Sequence, residues 1–190
     1  MMLCDYIRLP AHWRPSKLVN RFEPSHALSQ WLTDPRSLTL KLRSLCPQLQ
    51  VRILSERWEK PSTSEAIKLG LSGSQKAWIR TVTLNCGETP LVYARTVIPH
   101  CHPGNPWFVL KLLGDRPLGE ILFQKHQVER SEFEISRQML ANWPYLTAIL
   151  QEKTTQDISY ARRCLFQEKG HPLLLTEAFL EDPVNALRID

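Results

Sequence analysis

The stretch KAWIRTVTLNCGETPLVYARTVIP, residues 76–99, limits the possible folds more than any other part of this chain. Two runs with apolar side chains at alternate positions flank Asn85-Cys86-Gly87-Glu88, a turn-forming segment. The chain must double back there as an antiparallel hairpin.

The remaining segments extend that sheet or cover it. In SHALSQWLTD, Ala27, Leu28, Trp31 and Leu32 fall at helical spacing behind a capping Ser25. SLTLKLRSL reads two ways: Leu38, Leu40 and Leu42 alternate as in a strand, while Leu38, Leu42 and Leu45 fit a helix. LQVRILSERW reads as a strand, and RPLGEILFQ as a short helix with Pro117 in its first turn. QVERSEFEIS, ISYARRCLFQEKG and PLLLTEAFL supply three further strands, the last two joined across EKGHP. The expected class is α+β: a single antiparallel sheet of about six strands with helices packed on it. Residues 1–190 are read as one domain, with 1–24 an N-terminal extension and 139–157 a connecting excursion.

A chain of 190 residues can bury a sizeable core. Its net charge of +5 favours anionic partners without choosing among them. The six tryptophans are dispersed and form no aromatic–basic stripe, so no nucleic-acid partner is expected. No segment has signal-peptide or membrane-span character. Cys4, Cys46, Cys86, Cys101 and Cys164 are scattered without a CxxC, which suits free thiols in a reducing compartment. A cytoplasmic location is the expectation.

Chemistry concentrates in two lone charges. Glu177 sits at the centre of PLLLTEAFL, on a strand face with Leu173, Leu175 and Phe179, where an unpaired charge is costly. Arg95 is the only charge in PLVYARTVIP and shares a face with Leu91, Tyr93 and Val97. The two either pair with each other or reach a sheet edge, or they line a polar pocket. In a pocket, Arg95 would grip a ligand carboxylate and Glu177 would be available for proton or hydroxyl chemistry. Arg162 and Arg163 are adjacent, so at most one can face a given pocket. His100, Cys101 and His102 are consecutive, a poor spacing for one metal ion, and a solvated loop is expected. GxSxG, P-loop and GxGxxG motifs do not occur.

SLTLKL, VYARTVIP, LGDRPLGEILF, YARRCLF and HPLLLTEAFL follow one another in an order and spacing that resemble the chorismate pyruvate-lyase family, from about Trp31 to Leu180. The resemblance implies conversion of chorismate to 4-hydroxybenzoate and pyruvate for quinone biosynthesis. It also implies helical flaps over an internal ligand pocket. It carries the ring-carboxylate role to Arg95, contact with the 4-hydroxyl to Glu177, a backbone contact to Leu118 and an apolar wall to Leu38, where the family usually has methionine. The YARRCLF match assigns Arg162 no ligand contact. The expected substrate- and product-binding set is Arg95, Leu118, Glu177 and Leu38, with Glu177 and Arg95 catalytic.

Cleavage of the ether at ring C3 with loss of the C4 hydrogen leaves an aromatic ring. That driving force needs no cofactor and no metal. The hydrogen passes either internally to the enolpyruvyl methylene or through a protein group, Glu177 being the first suspect. The expected partners are chorismate and 4-hydroxybenzoate, bound by a monomer. The alternative is a non-catalytic small-ligand sensor of the related transcription-regulator effector-binding fold, although residues 1–24 are too short for a helix-turn-helix.

Overall fold

The computed structural model describes residues 12–122, 128–146 and 158–187. Its helices are α1 (His26–Thr33), α2 (Leu38–Leu45), α3 (Thr63–Leu69), α4 (Leu118–Leu122) and α5 (Pro183–Ala186). Its strands are β1 (Arg14–Pro15), β2 (Leu49–Glu59), β3 (Ala77–Cys86), β4 (Thr89–Ile98), β5 (Glu129–Arg130), β6 (Glu134–Met139), β7 (Ile158–Glu168) and β8 (His171–Phe179). They form one antiparallel sheet in the order β1-β6-β7-β8-β4-β3-β2, with β5 paired to β7. The α+β class is therefore observed, with six long strands and two of two residues each.

SLTLKLRSL resolves as the helix α2. The Ser37 hydroxyl accepts a hydrogen bond from Leu40 N, and Leu38 and Leu42, one turn apart, are buried against Leu28, Trp31 and Leu32 of α1. Leu45 is left half-exposed. The helix α3 lies in a segment for which the sequence reading made no assignment. Ser62 and Glu65 cap its start reciprocally, and Gly70 ends it at φ 66°. Residues 14–15 join the sheet edge through β6, so the stretch expected to be an extension is partly built into the fold. Of the excursion expected at 139–157, residues 140–142 form a 3-10 turn, and 147–157 lie outside the described residues.

The expectation of free thiols is corrected for one pair. Cys46, which caps the C-terminus of α2, and Cys86, at the end of β3, form a disulfide with Cα atoms 6.1 Å apart. Cys86 pairs in register with Leu49, three residues beyond Cys46, so the turn from α2 into β2 brings the sulfurs together. Cys101 and Cys164 are free and buried. Among the described residues, no helix is long and apolar enough to cross a membrane.

Both faces of the sheet are covered. Helices α1, α2 and α4 and the 3-10 turn Phe108–Leu112 cover one face, and α3 with residues 140–146 covers the other. In an antiparallel sheet, residues directly opposite in register share a face. The pairs Ala94–Glu177, Arg80–Thr96 and Arg162–Glu177 therefore assign Arg80, Arg162 and Glu177 to one face. The pairs Arg95–Thr176 and Arg163–Thr176 assign Arg95 and Arg163 to the other.

Candidate active site

Two adjoining hollows lie between the sheet and the N-terminal turns of α2 and α4. Thr39, Gly119, Leu175 and Glu177 line both, so Glu177 stands where they meet. On one side the wall includes Arg80, Val82, Ala94, Thr96 and Leu118. On the other it includes Arg36, Leu38, Arg130, Phe133, Arg162 and Cys164. The hollows measure ≈30 and ≈20 Å³, enough for one or two waters. A ring-sized ligand would enter only if α2 and α4 part. They meet at Gly119, where an added Cβ would stand 2.9 Å from Ser37 Oγ and 3.1 Å from Thr39 Oγ1.

The structure thus gathers three of the four expected site residues: Glu177, Leu118 and Leu38. It does not bring Arg95 to them. Arg95 is buried on the opposite face, where Nε donates to Glu65 Oε1 at 2.8 Å and Nη1 donates to Glu59 Oε1 at 3.0 Å and Thr81 Oγ1 at 3.1 Å. Burial opposes its charge, but the carboxylate of Glu65, the Tyr93 oxygen and Glu59 hold its pKa above the ordinary arginine value. Two carboxylates of the protein itself already satisfy this guanidinium.

The guanidinium facing Glu177 across the hollow belongs to Arg80. It is 3% exposed; Nη2 donates to the Gly114 carbonyl at 2.7 Å, and Nη1 is paired with Glu56, its cross-strand neighbour on β2. The sequence reading missed it. Arg80 is as much a lone charge in AWIRTVTLN as Arg95 is in its own run, so the criterion that singled out one selects both.

Glu177 is not an isolated carboxyl among apolar side chains. Arg162 Nε donates to its Oε2 at 2.7 Å, and Arg162 Nη1 donates to the carbonyls of Trp31 and Asp34 at 2.9 and 2.8 Å. A buried arginine thus fixes the orientation of Glu177 and ties it to the end of α1. Beside them, burial and then the Glu177 charge push the Cys164 thiol up to about 12, which leaves it protonated and poorly nucleophilic. Arg163 faces away, paired with Glu134 at 2.7 Å. His100, Cys101 and His102 are not gathered: His100 contacts Gln75, His102 contacts the Pro103 carbonyl, and Cys101 is packed in the core.

Charge decides what class of ligand this site suits. Five arginines (36, 80, 116, 130 and 162) and one carboxylate, Glu177, line the two hollows among the described residues. Such a wall favours an anion.

The family model described as chorismate lyase matches residues 9–186. The chain belongs to the chorismate lyase family. It is 49% identical over 175 residues to a probable chorismate pyruvate-lyase of Hydrogenovibrio crunogenus, covering 92% of this chain and 93% of that one. A probable chorismate pyruvate-lyase of Halorhodospira halophila is 34% identical over 179 residues, covering 94% of each chain. In fold, the chain resembles the PhnF C-terminal domain, with a TM-score of 0.54 at 14% identity over 70% of this chain and 82% of that one. It also resembles the C-terminal domain of a histidine utilization repressor from Pseudomonas syringae pv. tomato, with a TM-score of 0.52 at 10% identity over 72% and 94%. The likeness to those two domains concerns the fold alone.

Proposed function

We propose that this chorismate lyase family member converts chorismate to 4-hydroxybenzoate and pyruvate, the first step toward a quinone ring, in the cytoplasm. The observation that carries the reading is a buried arginine, Arg80, and a partly buried carboxylate, Glu177, on opposite walls of one hollow on one face of the sheet. A para-substituted ring acid has a carboxylate at one end and an oxygen at the other, and these two groups match its ends.

In this reading the ring-carboxylate role moves from Arg95 to Arg80. Glu56, now on Arg80 Nη1, is a carboxylate in the place a ligand carboxylate would take. It is partly exposed and can turn to solvent when substrate arrives. Glu177 accepts a hydrogen bond from the C4 hydroxyl, Leu118 closes the roof over the ring, and Leu38 forms the wall beside it. Closure of α2 and α4 excludes water, which strengthens each charge–charge contact as the ether breaks. The chain contributes orientation and electrostatics. Arg162 holds Glu177 in place and the neighbouring Cys164 thiol stays protonated, so Glu177 is the one acid–base group facing the C4 hydroxyl among the described lining residues.

The test is incubation of the purified chain with chorismate, following pyruvate by a coupled assay. Pyruvate should appear with an equal amount of 4-hydroxybenzoate. Arg80→Met and Glu177→Gln should each lose most turnover while remaining folded. Absence of pyruvate from the wild-type chain refutes the reading. Binding of chorismate without turnover would favour the sensor alternative.

A further inference from the structure

We infer that Arg130, at the outer end of the Glu177 hollow, binds the second carboxylate of the substrate, that of the enolpyruvyl side chain, and has no part in holding the aromatic product. The inference rests on the proposed reading and extends it to a residue that reading does not use.

Substrate chemistry sets the direction. The enolpyruvyl ether leaves the ring at C3, next to the C4 hydroxyl and away from the carboxylate at C1. With C1 toward Arg80 and C4 at Glu177, the side chain must project into the hollow beyond Glu177. The groups there are Arg162, Phe133, Arg36 and Arg130. Each arginine is placed differently. Arg162 is committed to Glu177 and two backbone carbonyls. Arg36 is held by Asp34 through both carboxylate oxygens, at 3.0 and 2.8 Å. Arg130 is exposed, lies over the Phe133 ring at 5.0 Å and donates from Nη1 to the Pro35 carbonyl. Neither an aromatic face nor a carbonyl neutralises its charge. The same ring carries Arg162 at 4.5 Å, so Phe133 fixes the positions of two guanidinium groups. A carboxylate in this hollow would meet Arg130 in a geometry already organised for it, with Arg162 adding field from within.

After the ether breaks, this carboxylate leaves on pyruvate, whereas the ring acid keeps the one at Arg80. Substrate and product therefore depend on Arg130 differently. That difference is the test.

Chorismate KM, kcat and the 4-hydroxybenzoate inhibition constant would be measured for wild type, Arg130→Gln, Arg130→Lys and Arg80→Met. For Arg130→Gln, chorismate KM should rise about tenfold, the loss expected for one charge-assisted hydrogen bond. The 4-hydroxybenzoate constant should stay within about twofold of wild type, and Arg130→Lys should recover part of the loss. Arg80→Met should weaken both ligands together. Because Arg130 is exposed, its variants should keep the wild-type melting temperature, which is measured alongside. An unchanged chorismate KM in Arg130→Gln overturns the inference, and so does equal weakening of substrate and product. A wild-type chain that releases no pyruvate refutes the proposed function itself, which tells the two failures apart.

Discussion

Replacing Arg95 with methionine separates the roles of the sheet's two faces. The side chain keeps its aliphatic stem and loses the guanidinium. That removes hydrogen bonds to Glu65 at 2.8 and 3.5 Å, to Glu59 at 3.0 Å and to Thr81 at 3.1 Å. Glu65, 6% exposed, is then left charged in the interior without this partner. Breaking a buried pair from one side costs about 3–5 kcal/mol, because the surviving charge has lost its water as well as its partner. For a chain of this length, 1 kcal/mol moves the melting temperature by about 2–4 °C, so the expected drop is about 6–20 °C. Ligand affinity should not follow. Arg95 and its partners lie across the sheet from Glu177, so 4-hydroxybenzoate should bind the folded variant as tightly as it binds wild type.

Differential scanning calorimetry together with product titration below the melting transition measures both quantities. A second change checks the cause: adding Glu65→Gln to Arg95→Met removes the stranded charge and should restore part of the lost stability. The reasoning fails if Arg95→Met melts at the wild-type temperature yet loses 4-hydroxybenzoate. That outcome would put the ligand on the other face.

Gly119→Ala should weaken retention of 4-hydroxybenzoate, because its Cβ would stand 2.9 Å from Ser37 Oγ and force α2 and α4 apart; stopped-flow release should be faster than wild type, and an unchanged rate would show that the contact does not close the hollow. Reducing Cys46–Cys86, or replacing both with serine, should cost about 4 kcal/mol on the chain-entropy account of a loop spanning 40 residues, read as a lower melting temperature. Equal stability in dithiothreitol would refute it. Acid should destabilise the face under α3. Tyr145, Arg95 and Arg57 hold the Glu59 carboxyl below its ordinary 4.5 despite burial, and Lys68 and Arg163 do the same for Glu134. A depressed folded-state value adds stability that is complete above the ordinary value and fades as the pH falls through the folded one. The melting temperature should therefore fall below about pH 4.5 and fall less steeply in Glu134→Gln; a flat profile would refute the assignment.

Alternation and turn chemistry made the hairpin, β7 and β8 legible in the sequence, because a period of two and a Gly-containing turn are local signals. The helix α3 was legible too, since Ser62-Thr63-Ser64-Glu65 is a capping box and Gly70 follows, but it carries few apolar residues to attract notice. The pairing of faces was not legible. A simple two-residue loop would set Arg80 directly opposite Arg95, two like charges on one face. The observed ladder shifts by one between Leu84 and Asn85: Leu84 pairs with Val92 and Asn85 with Pro90, leaving Leu91 as the extra residue. Proline at position 90 has no N–H to continue the ladder. This bulge sends Arg80 and Arg95 to opposite faces. A slip of one residue exchanges every side chain between faces, and Pro90 marks where a slip can occur without fixing that it does. The disulfide was hidden for a related reason, because Cys46 and Cys86 meet only through the turn from α2 into β2.

That shift also distributes charge. On the face under α3, Arg95 is closed by Glu59 and Glu65, and Arg163 by Glu134. These cations are neutralised where they lie and project little field. On the other face, five arginines and one carboxylate line the hollows among the described residues, with Arg80 resting on a partly exposed Glu56, Arg162 on Glu177 and Arg36 on Asp34. A dianion thus finds its attraction concentrated at one enclosed place, where low dielectric magnifies it. The modest net charge of +5 matters less than this local surplus. A register without the bulge would put Arg80 and Arg95 on one face: carrying Arg80 across would take from the hollows the guanidinium that faces Glu177, and carrying Arg95 across would leave Glu65 without its buried partner. The bulge beside Pro90 therefore couples stability on one face to anion binding on the other.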